Sequence, residues 1–488
     1  MRLSRGVALA LVGLVVLSST LAVSAATAPT RSVTAAESGV TGTSTQQSSA
    51  DAATAAPSGG PHVLVGSQGG GTNWQKQGSV YRLNDQEVVW KINDRDSYFD
   101  ATMMENGNVV AGFMHNGYRT GCEPYEPPCT KTGYRVLDPS AGSTPEVVSE
   151  YMFPIRGPTH SEMHDVEPMG DGRFVFADME YERIAIVSDG TIEWQWNASD
   201  SGFYDAPPDV TRRDWLHIND VDYIGDERFL VSVRNANQLL VIERGEGVVE
   251  VINEDPGGSD SSCTKGGQLA DFDDDGDVRC GDPSVMNHQH NPQWLGDGRV
   301  LVADSENDRI VELHRSESGE WEEAWTLEEA GGLVLQWPRD ADRLPNGNTL
   351  VTDSLNRRVF EVTPAGDVVW SYATPLIPYE ADPIPEGEVA GGFAAEAPAD
   401  ETPQSENGTD TTTATASDTT PTSPAPSTQP PASSSGLSAA DIPGLSLLLV
   451  GIKAVVPRLP IWFGEFQLLV TILSLGLVGV GVVDHRRD

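Results

Sequence analysis

The sequence predicts an all-β protein whose main domain, residues 61–380, is a six-bladed β-propeller. Two observations predict it. The chain between about 61 and 375 repeats a short motif that ends in a Gly-containing turn, and internal repeats of this length are typical of propellers and arrays. Each motif is followed by short runs of β-branched and aromatic residues with no helical periodicity between them, which is typical of four-stranded blades.

The repeat sets the number of blades. The segments His164 to Gly172, His290 to Gly298 and Arg339 to Gly347 align with one another. Repeat starts at 99, 164, 219, 290 and 339 predict five blades, and the run from His62 to Trp90 supplies the last three strands of a sixth. The repeat does not fix the place of the strand that closes the ring, which lies either before Pro61 or after Thr374.

The segments on either side of the propeller have other compositions. Residues 1–26 combine Arg2 and Arg5 with an apolar run and small residues, which predicts a secretory signal peptide, with a retained N-terminal anchor as the alternative. Residues 27–60 are an Ala/Ser/Thr/Gly-rich, low-complexity linker, and residues 381–440 form a disordered stalk rich in Pro, Thr, Ser and acidic residues.

The C-terminal segment 441–488 predicts a membrane anchor. A helix at about 463–483 carries an uncharged apolar run close to the shortest length that spans a bilayer, followed by His485, Arg486 and Arg487. The basic end predicts a cytoplasmic C-terminus and a propeller on the extracellular face of the cell membrane. The shorter apolar stretch 445–456 is interpreted as interfacial, or as half of a hairpin that would reverse the tail.

The charge balance excludes one class of function. The chain has 72 Asp and Glu against 31 Lys and Arg, a net charge of −41. Nucleic acids are bound by Lys- and Arg-rich surfaces, so a nucleic-acid partner is not expected. Acid spread along the whole chain is typical of halophilic proteins, whose surroundings screen the self-repulsion.

Four cysteines form two local pairs that suit an exterior location. Cys122 lies seven residues before Cys129, and Cys263 lies seventeen residues before Cys280. Neither pair has zinc-ligand spacing, so we expect two disulfides.

Residues that open each repeat converge in a propeller, because the first strand of each blade lines the central channel. This opening column reads Phe99, His164, Asn219, His290 and Arg339. Two residues earlier, on the same strand face by alternation, the last four repeats have Glu162, His217, His288 and Trp337. Four of the nine histidines lie in these columns. Unrelated structural histidines are the alternative, but convergence favours a site.

The third repeat departs from the others. Asp178, Asp304 and Asp353 occupy one repeat position, where the third repeat has Val233 followed by Arg234. Imidazoles beside a planar guanidinium suit a tetrahedral oxyanion such as sulfate or phosphate.

These residues carry a family resemblance. Trp215-Leu-His217-Ile-Asn219, Val231 to Arg234, Met163-His164-Asp165 and Gln289-His290-Asn-Pro-Gln-Trp294 resemble the arylsulfate sulfotransferases that work without PAPS, here as a haloarchaeal-like secreted member. The resemblance implies a six-bladed propeller that moves a sulfuryl group from a phenolic sulfate ester to a phenol through a sulfohistidine, with no required cofactor.

The resemblance also implies residue roles. His290 would be the nucleophile, with His164, His217 and Arg234 around the sulfuryl oxygens. His288 is the alternative nucleophile, since it shares a column with His217, and the residue that carries the proton is left open. The separate N-terminal β domain of bacterial members has no counterpart, which leaves oligomerisation like theirs in question.

A second motif predicts a structural calcium ion. Asp271, Asp273, Asp275 and Asp277, with Gly276 at position six and Asp282 at position twelve, match a calcium loop in which Asp replaces the final Glu. An acidic surface loop is the alternative.

Two rivals to the sulfotransferase remain at this point. One is a surface-displayed binding or adhesion module, and the other is a propeller enzyme of the dehydrogenase or lactonase type. A binding module has no need of converging His and Arg. Lactonase-type hydrolases need a metal ringed by carboxylates in the channel, where the repeats offer imidazoles instead.

Overall fold

A computed structural model describes residues 60–69, 76–254 and 268–385 apart from positions 275, 277 and 297, together with 387, 448, 452 and 465–487. The predicted signal peptide, almost all of the linker and most of the stalk lie outside these residues.

Six four-stranded antiparallel sheets form the propeller and confirm the predicted number of blades. Blade 1 holds β4 to β7 (Ser97–Met103, Val109–Tyr118, Cys129–Asp138, Glu146–Ile155) and blade 2 holds β8 to β11 (Val166–Gly170, Arg173–Asp178, Arg183–Ser188, Thr191–Asn197). Blade 3 holds β12 to β15 (Ile218–Tyr223, Arg228–Val233, Gln238–Glu243, Gly247–Ile252) and blade 4 holds β16 to β19 (His290–Gly296, Arg299–Asp304, Arg309–Arg315, Trp321–Leu327). A two-stranded ribbon, β20 and β21 (Glu329–Ala330, Leu333–Val334), precedes blade 5, β22 to β25 (Pro338–Arg343, Thr349–Asp353, Arg358–Val362, Val368–Ala373).

Blade 6 is assembled from both ends of the domain and closes the ring. Its inner strand is β26 (Ile377–Pro383), which pairs with β1 (His62–Gly69), and β2 (Ser79–Asn84) and β3 (Glu87–Ile92) follow. Val63 lies opposite Pro383 and Gly66 opposite Glu380. The closing strand therefore comes after Thr374, the second of the two predicted positions.

Burial falls from the channel outwards and explains why these residues form strands. The inner strands are almost wholly buried, whereas the outer strand Val368–Ala373 alternates between exposed and half-buried side chains. Apolar faces of neighbouring blades pack together, as Val175 and Ile184 of blade 2 do against Val221 and Val231 of blade 3. Such alternation and face-to-face packing are the ordinary means by which β-sheets share a core.

Bulges in the inner strands determine what faces the channel. The pairing register shifts between Ile218 and Asp220 and between Pro338 and Asp340. A bulge turns two successive side chains towards one side, so the opening column and the residue after it both reach the axis. The prediction that the residues two positions before the opening column share its strand face is wrong. His217, His288 and Trp337 lie before their strands, with left-handed φ values of 56°, 50° and 53°.

The remaining elements lie between and beyond the blades. Cys122 and Cys129 form the predicted disulfide. Cys280 is also disulfide-bonded, and its expected partner Cys263 lies outside the described residues. A short helix, α1 (Ala198–Ser201), follows blade 2, and helix α2 (Glu465–Arg487) belongs to a separate unit.

Helix α2 covers most of the predicted span at 463–483. Within the described part of the chain, however, no helix is both long enough and apolar enough to cross a membrane. The predicted transmembrane helix is therefore not confirmed.

Candidate functional site

Three histidines from three blades meet at the end of the channel where the inner strands begin. His164 precedes β8, His217 precedes β12 and His290 starts β16. The ring centres of His164 and His217 are 5.9 Å apart. Tyr379 of the closing strand lies beside His164 and His290, with ring centres 4.8 and 6.0 Å away. The structure thus brings together three of the four histidines that the sequence singled out.

His290 is fixed by a hydroxyl group. Its Nδ1 is 2.8 Å from Oγ of Ser305, and that hydroxyl also lies 2.7 Å from the carbonyl oxygen of Pro338. A hydroxyl has one proton, and the Pro338 carbonyl can only accept it, so the Nδ1–H of His290 donates to Ser305. The lone pair of neutral His290 is then on Nε2. Burial holds the pKa of His290 well below its usual range.

His217 is fixed by a carboxylate. Its Nδ1 is 2.6 Å from Oδ1 of Asp214, whose other oxygen lies 3.2 Å from Nδ1 of His160. Both imidazoles thus direct Nδ1 at the same carboxylate. Burial lowers the pKa of His217 to about 4 despite Asp214. Burial alone would raise the pKa of Asp214, but the two imidazoles hold it well below its usual range.

His164 is fixed by the closing strand. Its Nδ1 is 2.9 Å from the hydroxyl oxygen of Tyr379, while its Nε2 is buried without a hydrogen-bond partner among the described residues. Burial raises the pKa of Tyr379 and lowers that of His164, so both groups are neutral near pH 7. When the hydroxyl of neutral Tyr379 donates its hydrogen bond to Nδ1 of His164, that nitrogen carries no hydrogen. The one ring proton of the neutral imidazole is then on Nε2.

Arg234 lies on a 3-10 turn, Arg234–Ala236, directly after β13. Its Nη1 donates to Oδ1 of Asn235 at 2.9 Å, and its Nη2 is 3.8 Å from Oε1 of Glu306. Nδ1 of His288 also lies 3.8 Å from Oε1 of Glu306. His288 is therefore at the edge of the site and paired with an acid, whereas His290 is among the buried rings.

The lost aspartate of the third repeat has a structural explanation. In blades 2, 4 and 5 this aspartate is buried and pairs with the arginine five residues later: Asp178 with Arg183, Asp304 with Arg309 and Asp353 with Arg358, at 2.7, 2.7 and 2.8 Å. Blade 3 has Val233 and Gln238 at these two positions. The whole ion pair is replaced there, and Arg234 is available to the channel end.

Sequence reasoning missed several members of the site. Arg339 stood in the opening column but was not assigned a role; its guanidinium stacks on Trp337 and Tyr379 at 4.1 and 4.8 Å and donates to Oε1 of Gln68. Neither Asp214 nor Ser305 was predicted as a site residue. Tyr379 was missed because the closing strand was not found, although Tyr379-Glu-Ala-Asp382 matches Arg339-Asp-Ala-Asp342.

Carboxyl groups line the channel one residue further along the inner strands than the imidazoles. The sequence predicts imidazoles in the channel in place of carboxylates, so this part of the expectation is wrong. The residues after the opening column form an upper layer, one from each blade: Asp100, Asp165, Asp220, Asn291, Asp340 and Glu380. Two residues further along lies a lower layer of Thr102, Glu167, Asp222, Gln293, Asp342 and Asp382. All twelve side chains are buried. Burial raises the pKa of Asp165 and of Asp340 to about 7.

The predicted calcium loop is only partly described. Asp271 and Asp273 bring carboxylate oxygens within 4.8 Å of each other and of Asp205, which was not predicted. Oδ1 of Asp282 instead accepts hydrogen bonds from N and Oγ of Ser284, both at 2.8 Å. Asp275 and Asp277 lie outside the described residues, and calcium at this loop stays a prediction.

Comparison with known proteins bears on this geometry. The family model for arylsulfotransferase (ASST) matches residues 136–323. This stretch contains His164, His217, Arg234 and His290, and it ends before Arg339 and Tyr379. The match supports arylsulfotransferase-like activity in general. No curated protein matches the chain.

Solved structures similar to this chain are distant. One is a protein of unknown function from Bacteroides caccae, with 14% identity and a TM-score of 0.42 over 67% of this chain and 100% of that one. Another is the periplasmic gluconolactonase PpgL of Pseudomonas aeruginosa, with 14% identity and a TM-score of 0.38 over 66% and 98%. A third is virginiamycin B lyase of Staphylococcus aureus with quinupristin, with 11% identity and a TM-score of 0.36 over 64% and 85%.

Proposed function

We propose that this protein transfers a sulfuryl group from a phenolic sulfate ester to a phenol, with His290 as the nucleophile. One observation carries the proposal: the three imidazoles each have Nδ1 occupied by a different partner, and Nε2 has no hydrogen bond in the described part of the chain. A fixed Nδ1 leaves Nε2 to act on a substrate. Arg234 and Arg339 supply positive charge for an anionic group at the same place.

In the first step, the Nε2 lone pair of His290 attacks the sulfur of the donor. The N–S bond forms as the bond between sulfur and the aryl oxygen breaks, and the aryl oxygen leaves as a phenolate that takes a proton from water. His290 keeps its Nδ1–H, and Oγ of Ser305 accepts the hydrogen bond from the now positively charged ring. Arg234 and the Nε2–H of His164 stabilise the sulfuryl oxygens.

In the second step, an acceptor phenol enters and its oxygen attacks the same sulfur. Nε2 of His217 takes the phenolic proton, and Asp214 stabilises the imidazolium that forms. The N–S bond breaks, which restores neutral His290. His217 then loses its proton to water, so the cycle consumes no cofactor.

Transfer from p-nitrophenyl sulfate to a second phenol tests this proposal. The purified full chain in concentrated salt is expected to release p-nitrophenol and to form the acceptor's sulfate ester in equal amounts. Release without a sulfated acceptor would indicate hydrolysis, and no release at any salt concentration or pH would contradict the proposal.

A second candidate is a metal-dependent hydrolase of the lactonase type, which the carboxyl groups in the channel favour. These groups lie one step deeper than the imidazoles, and most of the upper-layer ones accept backbone N–H groups of the neighbouring blade. This use favours a structural role. Lactone hydrolysis that is abolished by a chelator, together with no sulfuryl transfer, would support the hydrolase instead.

Removal of the Ser305 hydroxyl should slow the first step. Ser305→Ala leaves Nδ1–H of His290 without its acceptor, and a lost hydrogen bond to a developing charge costs about 1–3 kcal/mol, or roughly tenfold to hundredfold in rate. The measurement is the pre-steady-state release of p-nitrophenol. Ser305→Thr keeps the hydroxyl and should recover most of the rate.

Ser354 offers a matched control for this variant. It occupies the equivalent position of blade 5, is equally buried, and its Oγ has no partner among the described residues. Ser354→Ala should leave the release rate within about twofold of the wild type. Equal losses in both variants would contradict a positioning role for Ser305.

The second step should tolerate acid. Neutral His217 takes the acceptor's proton, and burial lowers its pKa to about 4, so aryl sulfate formation should persist below pH 6.5 and fall only as the pH passes through about 4. Five titratable or charged groups face this ring: Asp214, His160, His164, Arg234 and Glu182. The measurement is kcat/KM for the acceptor against pH. An acidic limb near 6.5 would contradict the assignment of His217.

A further inference from the structure

The upper layer of the channel joins neighbouring blades through one oxygen of four of its five carboxyl groups. Glu380 accepts the N–H of Ala101 at 3.1 Å, Asp100 that of Val166 at 3.1 Å, Asp165 that of Val221 at 2.8 Å and Asp340 that of Ala381 at 2.9 Å. In each case the donor belongs to the next blade around the ring. These contacts leave a second oxygen on each carboxyl group that points elsewhere.

The ring of contacts is interrupted between blades 3 and 4. The residue that would donate to Asp220 is Pro292, which has no N–H. Oδ1 of Asp220 is accordingly buried without a partner in the described residues, and Oδ1 of Asn291 in blade 4 is also buried without one. Nδ2 of Asn291 reaches from blade 4 to Oε2 of Glu380 in blade 6 at 3.1 Å, so the Asn291 amide is among the carboxyl groups.

Charge makes this arrangement costly unless something neutralises it. The two layers hold nine buried carboxyl groups, and no lysine or arginine of the described chain hydrogen-bonds or ion-pairs with any of them. Buried charges require a partner of opposite sign, a metal ion or a proton. Asp220 and Asn291, both more than nine-tenths buried, keep an oxygen without a partner among the described residues, and a cation that binds oxygen would satisfy both.

We propose that the upper layer binds one calcium ion, held by Asp100, Asp165 and Glu380 with further oxygens from Asp220 and Asn291. One ligand atom from each of the first three residues lies within 4.8 Å of the others. Two oxygens bound to one Ca²⁺ at about 2.3–2.6 Å can be at most about 5 Å apart, so the spacing fits. The ligand set is oxygen only, as Ca²⁺ prefers.

The lower layer borders a cavity on the side away from the histidines. A cavity of about 380 Å³ borders the lower layer, and Thr102 and Glu167 line it together with Met103, Met169 and Gly387. The ion would join inner strands of five blades and lie one residue below His164 and His290. Its function is structural, and it is independent of the proposed transfer reaction.

Metal content and thermal unfolding test the site in the full chain. After mild chelation and dialysis against calcium, the wild type should retain calcium at the channel and unfold at a temperature about 5 °C higher than the calcium-free protein. Asp165→Asn and Glu380→Gln keep the side-chain shape and should each lose one calcium ion per chain and most of this shift. The double variant Asp271→Asn/Asp273→Asn alters only the surface loop and should keep the channel calcium ion and the thermal shift.

Three results would overturn the proposal. They are a wild type that binds no calcium and shows no shift, calcium that is lost only in the loop variant, and calcium that is retained in both folded channel variants. Far-UV circular dichroism establishes whether each variant is folded. If Asp165→Asn or Glu380→Gln fails to fold, Asn291→Asp takes its place: it adds a ligand charge and should strengthen calcium binding. Because the readout is metal content and not activity, failure of this site and failure of the transferase are distinguishable.

Discussion

Replacing His290 with alanine is expected to abolish sulfuryl transfer, with a loss of about 10⁴-fold or more in kcat/KM and no initial release of p-nitrophenol. The reason is that the Nε2 lone pair of His290 forms the bond to sulfur in the proposed first step, while Ser305, and through it Pro338, holds Nδ1–H. The measurement is stopped-flow release from p-nitrophenyl sulfate at enzyme concentrations comparable to the donor.

His288 supplies the matched control for that variant. It lies two residues away and is partly exposed beside Glu306, so His288→Ala should change the rate by less than about tenfold. His290→Asn keeps a polar group next to Ser305 and guards against loss of folding. An unchanged release of p-nitrophenol in His290→Asn, or a total loss in His288→Ala alone, would indicate that His288 is the nucleophile.

Replacing Asp214 with asparagine should separate the two steps. The amide cannot stabilise an imidazolium at His217, so steady-state transfer to the acceptor should fall by about 10²- to 10⁴-fold. The first release of p-nitrophenol depends on His290 and should remain within about tenfold. A burst followed by a slow phase is therefore the expected trace.

His160 distinguishes catalysis from packing in this experiment. It contacts the other oxygen of Asp214 at 3.2 Å and is 58% exposed, so His160→Ala removes a neighbour of the carboxylate and an edge contact of the His217 ring while the hydrogen bond between Asp214 and His217 stays in place. Its expected effect is below about fivefold. Equal loss of burst and steady-state rates in Asp214→Asn would contradict the role given to His217.

Much of the fold could be predicted because each blade repeats the same sequence pattern. The number of blades and the convergence of the opening residues follow from the repeat, and the first disulfide follows from the short spacing of its two cysteines. The closing strand could have been found too, since Tyr379-Glu-Ala-Asp382 has the same alternation as Arg339-Asp-Ala-Asp342. The acidic residue after each opening position was visible in the sequence, but simple alternation predicts that it faces away from the channel, and the bulges reverse that.

The partners of the histidines could not be predicted in the same way. Asp214 and Ser305 lie in segments outside the inner strands, and they reach His217 and His290 only through a left-handed turn and a 3-10 turn. No periodicity specifies such contacts. His217 was predicted to converge with His164 on an incorrect argument of strand alternation, and the turn brings it there instead.

Mapping the sulfated residue tests the central claim most directly. The full chain is mixed with an aryl sulfate in the absence of acceptor, quenched at alkaline pH because sulfohistidine is labile to acid, reduced, and digested with trypsin. The peptide from Cys280 to Arg299 contains both His288 and His290. Fragmentation should locate the sulfuryl group on His290, and it should disappear when a phenol is added. A sulfuryl group on His288, or none on any histidine while transfer proceeds, would contradict the account.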